Sequence, residues 1–482
     1  MLFNSLEFIF IFLPLTLIVY FLLNKRKLLM SAKVWLVFMS LAFYSYWNIK
    51  YLPLILSSIT FNYFIGRILG EIKIFNYKLS DKKIILIFGI VCNILLLAYY
   101  KYTNFFINNI NAISGTQIHF LNLVLPLGIS FFTFTQITYL VDAYKGEIQK
   151  MDYLNYALFV TFFPHLIAGP ILHHSEMMPQ FDHKRKKFFS YKNLVLGIVL
   201  FSIGLCKKVI IADSLAPYVQ LGYSTPATLN FIEAWILSFA YTFQLYFDFS
   251  GYTDMALGAS KMFNINLPIN FNSPYKAQNI QEFWRRWHIT LGRLLKNYIY
   301  IPMGGNKKGE LNTYKNLILT FLIGGFWHGA GWTFVIWGLL HGIALVINRL
   351  WKKLNIKMHS LIALFITFNF VNITWIFFRA NNLSDALVVL RKMFSLNVVN
   401  YNNLYHYSNI PTAILTLKEC SFDKITILIL FLALILLVWK KNSVEVYKDF
   451  KPSLRGAVVI TIILFWGIVN LNKISEFLYF QF

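Results

Sequence analysis

The sequence predicts an all-α, polytopic membrane protein, and three observations predict it. Hydrophobic residues make up 57% of the 482 positions and charged residues 13%, too few charges to clothe a soluble chain of this size. Apolar runs of near-spanning length recur from one end of the sequence to the other. Between them lie short loops rich in Lys and Arg, the pattern that orients helices in a bilayer. Aromatic residues reach 18%, with 48 Phe and 28 Tyr, as suits side chains that face lipid and its interfaces.

Taken in order, the apolar runs cover 8–23, 34–48, 52–66, 84–100, 120–141, 154–171, 194–206, 230–247, 316–340, 360–378, 425–439 and 457–471. Several are shorter than the roughly 20 residues a perpendicular helix needs, so re-entrant segments are expected among about 11–13 membrane segments. The first run is followed by Lys25, Arg26 and Lys27 rather than a small-residue cleavage site, and reads as the first span, not a removable signal peptide. No soluble domain of useful size fits between the runs, and 1–482 is read as one integral membrane domain. Basic loops follow the first run and the third, at Lys73, Lys78, Lys82 and Lys83, while the loops near residue 50 and over 101–118 carry one Lys each. The amino terminus is therefore expected outside the cytoplasm, with Lys184–Lys187 and the stretch 261–315 inside.

The formal net charge of +24 would suggest nucleic acid in a soluble protein. Here the cations sit in loops where anionic headgroups lie, and no aromatic-basic nucleic-acid module is visible. The three cysteines, Cys92, Cys206 and Cys420, are far apart and form neither a zinc nor a disulfide pattern.

Residues 250–315 differ from the rest in carrying Gly251, Asp254, Pro268, Pro274 and the basic-aromatic segment Gln281 to His288. On one helix, Trp284 and His288 would share a face, and Arg286 and Arg293 another. Such a segment is either an interfacial anchor at the cytoplasmic surface or a receiver whose cations hold a phosphorylated donor.

Polar groups inside apolar runs are the candidates for chemistry. His328 and His341 fall in one membrane-length run, each followed by glycine, with Gly324, Gly325, Gly329 and Gly331 and the indoles of Trp327 and Trp332 around the first. Imidazole transfers protons near neutral pH, and small residues admit close helix approach or a substrate. His341 lies 13 positions on, roughly 220° around an ideal helix, so the two would not share a face unless the glycines bend the segment, and a supporting role is all it is given. Asp248 and Asp254 close another run; they are either a solvated end or groups that orient a partner. His165, His173, His174, Glu176 and His183 match no metal-ligand spacing, and no metal is assigned.

These motifs have a family resemblance. Leu-Pro-Leu-Gly-Ile-Ser-Phe-Phe-Thr-Phe at 125–134, Phe-Pro-His-Leu-Ile-Ala-Gly-Pro-Ile at 163–171, Asp-Phe-Ser-Gly-Tyr-Thr-Asp-Met-Ala at 248–256, Phe-Trp-Arg-Arg-Trp-His-Ile-Thr-Leu at 283–291 and Gly-Gly-Phe-Trp-His-Gly at 324–329 occur in the order and spacing of the membrane-bound O-acyltransferases. The chain resembles that family's bacterial polysaccharide branch, which acetylates alginate or peptidoglycan, almost end to end. The resemblance implies a helical fold with a central tunnel, His328 as catalytic histidine, and His288 at the second polar catalytic position. It also implies acetyl-CoA as the cytoplasmic donor and an extracytoplasmic SGNH-type O-acetyltransferase as partner, in a bacterial inner membrane. Arg285, Arg286 and Arg293 are the cations expected to meet the donor's phosphates. The closing residues 477–482 resemble the aromatic tail of this branch, in which a tyrosine, here Tyr479, carries the acyl group briefly. Two other readings stand beside this one: a transporter of a polar solute, for which no internal repeat is seen, and an enzyme of the same fold that acylates a lipid.

Overall fold

A computed structural model describes residues 1–71, 79–148, 152–395, 429–430, 432–436, 441–471 and 478. No strand occurs among them, and helices account for most of these described residues. A bilayer leaves no other choice to an open chain, since every buried main-chain N–H and C=O must be satisfied within its own segment.

Among the described residues six helices are long and apolar enough to cross a membrane: Glu7–Lys25, Ile49–Gly70, Asp81–Lys101, Tyr191–Ser224, Trp332–Lys353 and Ser360–Arg379. Leu29–Ser45 and Leu454–Val469 are apolar but shorter. The sides of these helices show what they face. Ser360–Arg379 buries Val371, Trp375 and Phe378 while exposing Leu361, Ile362, Phe365 and Ile366, an apolar exterior that suits hydrocarbon and not water.

Three runs are built differently from their hydropathy. The run 154–171 is broken after Tyr153–Thr161, where Phe162 turns extended (φ −48°, ψ 108°) and Pro164 opens the short helix Phe163–Leu166. The run 230–247 continues as one helix, Phe231–Met262, because its later polar residues are buried rather than solvated: Asp248 is 1% exposed and Asp254 4%. The run 316–340 is two helices. Glu310–His328 ends at Gly329, Trp332–Lys353 begins after Gly331, and both glycines are extended (φ −158° and −165°).

The chain forms two compact units. One comprises Met1–Leu205, Tyr252–Ile269 and Val446–Leu471. Its core contains a ring cluster of Phe3, Phe8, Phe12, Phe43 and Phe163 with centroids 4.9–5.9 Å apart. Beside it runs a buried polar network in which Gln136 Oε1 accepts from Asn62 at 2.7 Å and Asn93 donates to Asn62 Oδ1 at 2.6 Å. Polar groups within a membrane protein pair across helices in this way.

The other unit comprises Cys206–Gly251, Asn270–Glu445 and Asn472–Phe482. At its centre Glu310–His328 packs against Trp332–Lys353 through bare backbone. A Cβ on Gly338 would lie 2.3 Å from the Phe321 carbonyl oxygen, and one on Gly325 2.4 Å from that of Phe334. These glycines bring the helices together.

Candidate active site

His328 is the last residue of the Glu310–His328 helix and is 4% exposed. Its ring packs edge-on to Trp337 at 5.2 Å and to Phe378 at 5.1 Å, and Trp327 lies 4.9 Å away. Because the run breaks at Gly329–Gly331, His341 is not a distant position on the same helix. It stands one turn beyond Trp337 on the antiparallel partner and touches that indole from its own side at 4.8 Å. The helical offset computed for an unbroken run therefore does not apply, and the two imidazoles share one tryptophan.

The hydrogen bonds of His341 define its state. Trp284 Nε1–H can only donate, and it donates to His341 Nδ1 at 3.2 Å. Nε2 then carries the ring proton and donates to Thr374 Oγ1 at 3.1 Å, and that hydroxyl donates to the Val371 carbonyl at 2.8 Å. Both ring nitrogens are engaged and the side chain is fully buried. His341 holds the helices in register.

The segment carrying Trp284 and His288 is not one helix, which corrects the expected pairing of their faces. Asn279 caps Ile280–Arg286 by accepting from Glu282 N at 2.9 Å. Trp287 then turns extended, His288 takes a left-handed conformation (φ 42°, ψ 54°), and a second helix, Ile289–Leu295, begins. Asn270 pins this turn. Its Oδ1 accepts from Thr290 N at 3.2 Å and Thr290 Oγ1 at 2.9 Å and lies 3.2 Å from His288 Nδ1, while its carbonyl accepts from Ile289 N at 3.0 Å. An oxygen already accepting from Thr290 requires Nδ1–H to donate, so a neutral His288 presents Nε2 as an acceptor. The ring lies against Phe249 at 4.8 Å. The neighbours of His288 and His328 are joined through the indoles of Trp287, Trp375 and Trp337, with successive centroids 5.0 and 5.6 Å apart.

Trp284 also lines a cavity of about 1210 Å³. Arg285, Arg293, Lys296, Lys307, Lys308, Arg349 and Lys352 are in its wall, and no Asp or Glu is. The loop that brings three of these cations, Lys296, Lys307 and Lys308, begins with a π-helical stretch, Lys296–Tyr300, and turns at Gly304 and Gly305 (φ 108° and 56°), values a side chain rarely adopts. Asn316 ties the loop down, donating to the Gly305 carbonyl at 2.9 Å. Arg349 is partly neutralised by Glu310 at 3.0 Å. On the Glu310–His328 helix the cavity is lined by Leu317, Thr320 and Phe321. His328 is not in this wall; it lies seven residues past Phe321, a rise of about 10 Å.

Of the residues expected to meet phosphates, Arg285 and Arg293 are in the cavity and Arg286 is outside it. Arg286 donates to Glu282 at 2.8 and 3.0 Å and to the Asn272 carbonyl at 3.1 Å. Tyr479 lies outside the described residues. Its neighbour Leu478 is described and buried. His173 Nδ1 is 3.6 Å from Asp142, and no three metal-ligating side chains gather among the described residues.

The sequence profile of the membrane-bound O-acyltransferase family matches residues 10–384. The chain belongs to the membrane-bound O-acyltransferase family. It is 46% identical to the peptidoglycan O-acetyltransferase of Helicobacter pylori over all of this chain and 98% of that protein. The probable alginate O-acetylase AlgI of Pseudomonas aeruginosa is 39% identical over 84% of this chain and 77% of its own length. The teichoic acid D-alanyltransferase of Bacillus subtilis is 30% identical over 52% of this chain and 67% of its own. This membrane-bound O-acyltransferase is thus a multi-pass acyl-transfer enzyme, as the motifs suggested. What the motifs did not reveal are Arg349 and Lys352, which reach the cavity from the end of another helix, and Asn270, which fixes His288 from 18 residues away. Asn270 carried no signal beyond its place in a polar stretch.

Proposed function

We propose that this acyltransferase takes acetyl from acetyl-CoA in the cytoplasm, moves it across the bacterial cytoplasmic membrane, and supplies it for O-acetylation of peptidoglycan. One observation carries the chemical part: the helix that ends at His328 also lines, two turns earlier, a cavity walled by seven cations and no carboxylate. Such a wall suits a donor bearing several phosphates. The relative named for peptidoglycan, alike along the whole chain, supports the choice of acceptor.

In this reading the donor's phosphates meet Arg285, Arg293, Lys296, Lys307 and Lys308, and its arm runs past Phe321 to His328. His328 takes the proton of an acceptor hydroxyl as that oxygen attacks the thioester carbonyl. The tetrahedral intermediate collapses with cleavage of the C–S bond, and the leaving thiolate takes the proton from the imidazolium, so the products are an ester and a free thiol. His288 positions the acceptor; its tautomer has no N–H on Nε2 to give to a carbonyl, and the single proton of the hydroxyl goes to His328. The hydroxyl is that of Tyr479, whose ordinary pKa of about 10 makes a base necessary. An extracytoplasmic SGNH-type O-acetyltransferase then passes the acetyl group to a sugar hydroxyl.

The test is ester-linked acetate on purified peptidoglycan and on secreted polysaccharide, in cells lacking the protein and in cells making His328→Ala or Tyr479→Phe at normal abundance. Loss from peptidoglycan in all three is expected. Unchanged acetate with His328→Ala would remove the imidazole from the reaction. Loss from secreted polysaccharide alone would favour an alginate-type acceptor, the second reading, which the likeness to AlgI supports.

A further inference from the structure

Away from the histidines, the same unit buries three charges together. Lys208 stands in a π-helical stretch, Lys207–Ala212, an irregularity often kept where a side chain must be aimed. Its ammonium is 2.8 Å from Asp213 Oδ1 and 2.6 Å from Asp248 Oδ1, with side-chain exposures of 3%, 1% and 1%. Lys208 and Asp213 alone would be a neutral pair. Asp248 is a second carboxylate on the same ammonium. The use of Asp248 lies on its other oxygen. Oδ2 accepts the main-chain N–H of Leu478 at 3.1 Å, a contact 230 residues apart in sequence.

This contact has the features of a register device. A carboxylate accepting a main-chain N–H forms a charge-assisted bond, and Lys208 fixes the carboxylate by holding its first oxygen. The N–H is common to every residue but proline, so what distinguishes this position is the Leu478 side chain, which is buried. The next residue in the sequence is Tyr479.

We propose that Lys208 and Asp248 form a latch that holds the carboxy-terminal tail by the Leu478 amide and so sets Tyr479 in register for acyl transfer. The inference rests on the reading of Tyr479 as acyl carrier. Lys208 and Asp248 touch no reacting atom; they are positioning residues.

Three substitutions separate the latch from general stability. Asp248→Asn is isosteric and leaves the Lys208–Asp213 pair neutral, but its single oxygen cannot serve both Lys208 and Leu478. Leu478→Pro removes the N–H donor, and also fixes φ at 478 and restricts residue 477, so its effect is read together with that of Asp248→Asn. Leu478→Met keeps the N–H and the side-chain volume. With full-length protein in lipid nanodiscs, monodisperse by size exclusion, hydrogen exchange of the carboxy-terminal peptide should be at least about tenfold faster at the Leu478 amide in Asp248→Asn, as expected for losing a charged hydrogen bond. In both Asp248→Asn and Leu478→Pro, kcat for acceptor acetylation should fall at least about tenfold, with KM for acetyl-CoA within about twofold of wild type. Leu478→Met should match wild type in both measurements. Unchanged exchange in Asp248→Asn overturns the latch, whatever Tyr479→Phe does. Faster exchange with undiminished kcat overturns its role in the reaction, and Tyr479→Phe measured alongside then shows whether the acyl-carrier reading has fallen with it.

Discussion

Replacing Gly338 with Ala tests whether the close helix pair sets the geometry at His328. The added Cβ would sit 2.3 Å from the Phe321 carbonyl oxygen and 3.2 Å from Gly325 Cα. That is about 1 Å short of an ordinary contact, and the atoms in the way are backbone, which cannot rotate aside. The helices must therefore part by about that distance, at a cost of about 1–3 kcal/mol for overpacking. His328 and Trp337 lie on opposite members of the pair at 5.2 Å, so the shift is transmitted directly to the imidazole. A displacement of about 1 Å in a reacting group lowers rates by up to about 100-fold. Gly331→Ala is the control, since the nearest atom to its new Cβ is at 3.5 Å and its backbone is extended. Purified variants compared by thermal unfolding and by acetyl transfer at saturating donor should show Gly338→Ala impaired in both and Gly331→Ala close to wild type. A Gly338→Ala enzyme with full kcat, or a Gly331→Ala enzyme equally damaged, would refute the reasoning.

The other substitutions divide the site by role. Arg285→Gln and Arg293→Gln should each raise KM for acetyl-CoA about tenfold or more, the worth of one charged hydrogen bond, with the difference from wild type shrinking as salt rises. Arg286→Gln, whose guanidinium is held by Glu282 and Asn272, should leave KM within about twofold, and steady-state kinetics at two ionic strengths checks all three. Asn270→Ala removes the acceptor of Thr290 and the partner of His288; kcat should fall about 10–100-fold with donor KM unchanged, as expected for lost orientation. Thr374→Val removes the acceptor of His341 Nε2–H and should lower stability by about 1–3 kcal/mol while leaving kcat/KM intact in the folded fraction.

Where apolar runs are helices from end to end, hydropathy located them well. The runs 84–100 and 360–378 became Leu79–Lys101 and Ser360–Arg379 because a lipid environment forces backbone pairing within the segment. The breaks were hidden. Gly329, Ala330 and Gly331 do not interrupt apolar character, so two helices read as one run; the glycines do bend it, and the ideal-helix offset between His328 and His341 does not hold. Asp248 was open to two readings, a solvated end or a group that orients a partner, and residue type could not choose between them. The helix continues to Met262, and Asp248 pairs with Lys208 within the protein. The site shows the same limit. Residue type and local motif singled out His328, Arg285 and Arg293, whereas the turn at His288 depends on Asn270, 18 residues earlier. Sequence spacing holds no information about such a partner.

Three histidines on this unit are buried to a similar degree, so burial does not distinguish their roles; their partners do. His341 has a fixed donor on one nitrogen and a hydroxyl on the other, so taking up a proton there would set N–H against N–H at Trp284. His288 is bound through Nδ1 to an amide oxygen that also holds Thr290, which directs Nε2 without freeing the ring to turn. His328 packs against rings on two other helices, Trp337 and Phe378, so its place is set by the same indole that His341 touches at 4.8 Å. The two imidazoles are thus positioned by one framework, and a change at Trp337 reaches both.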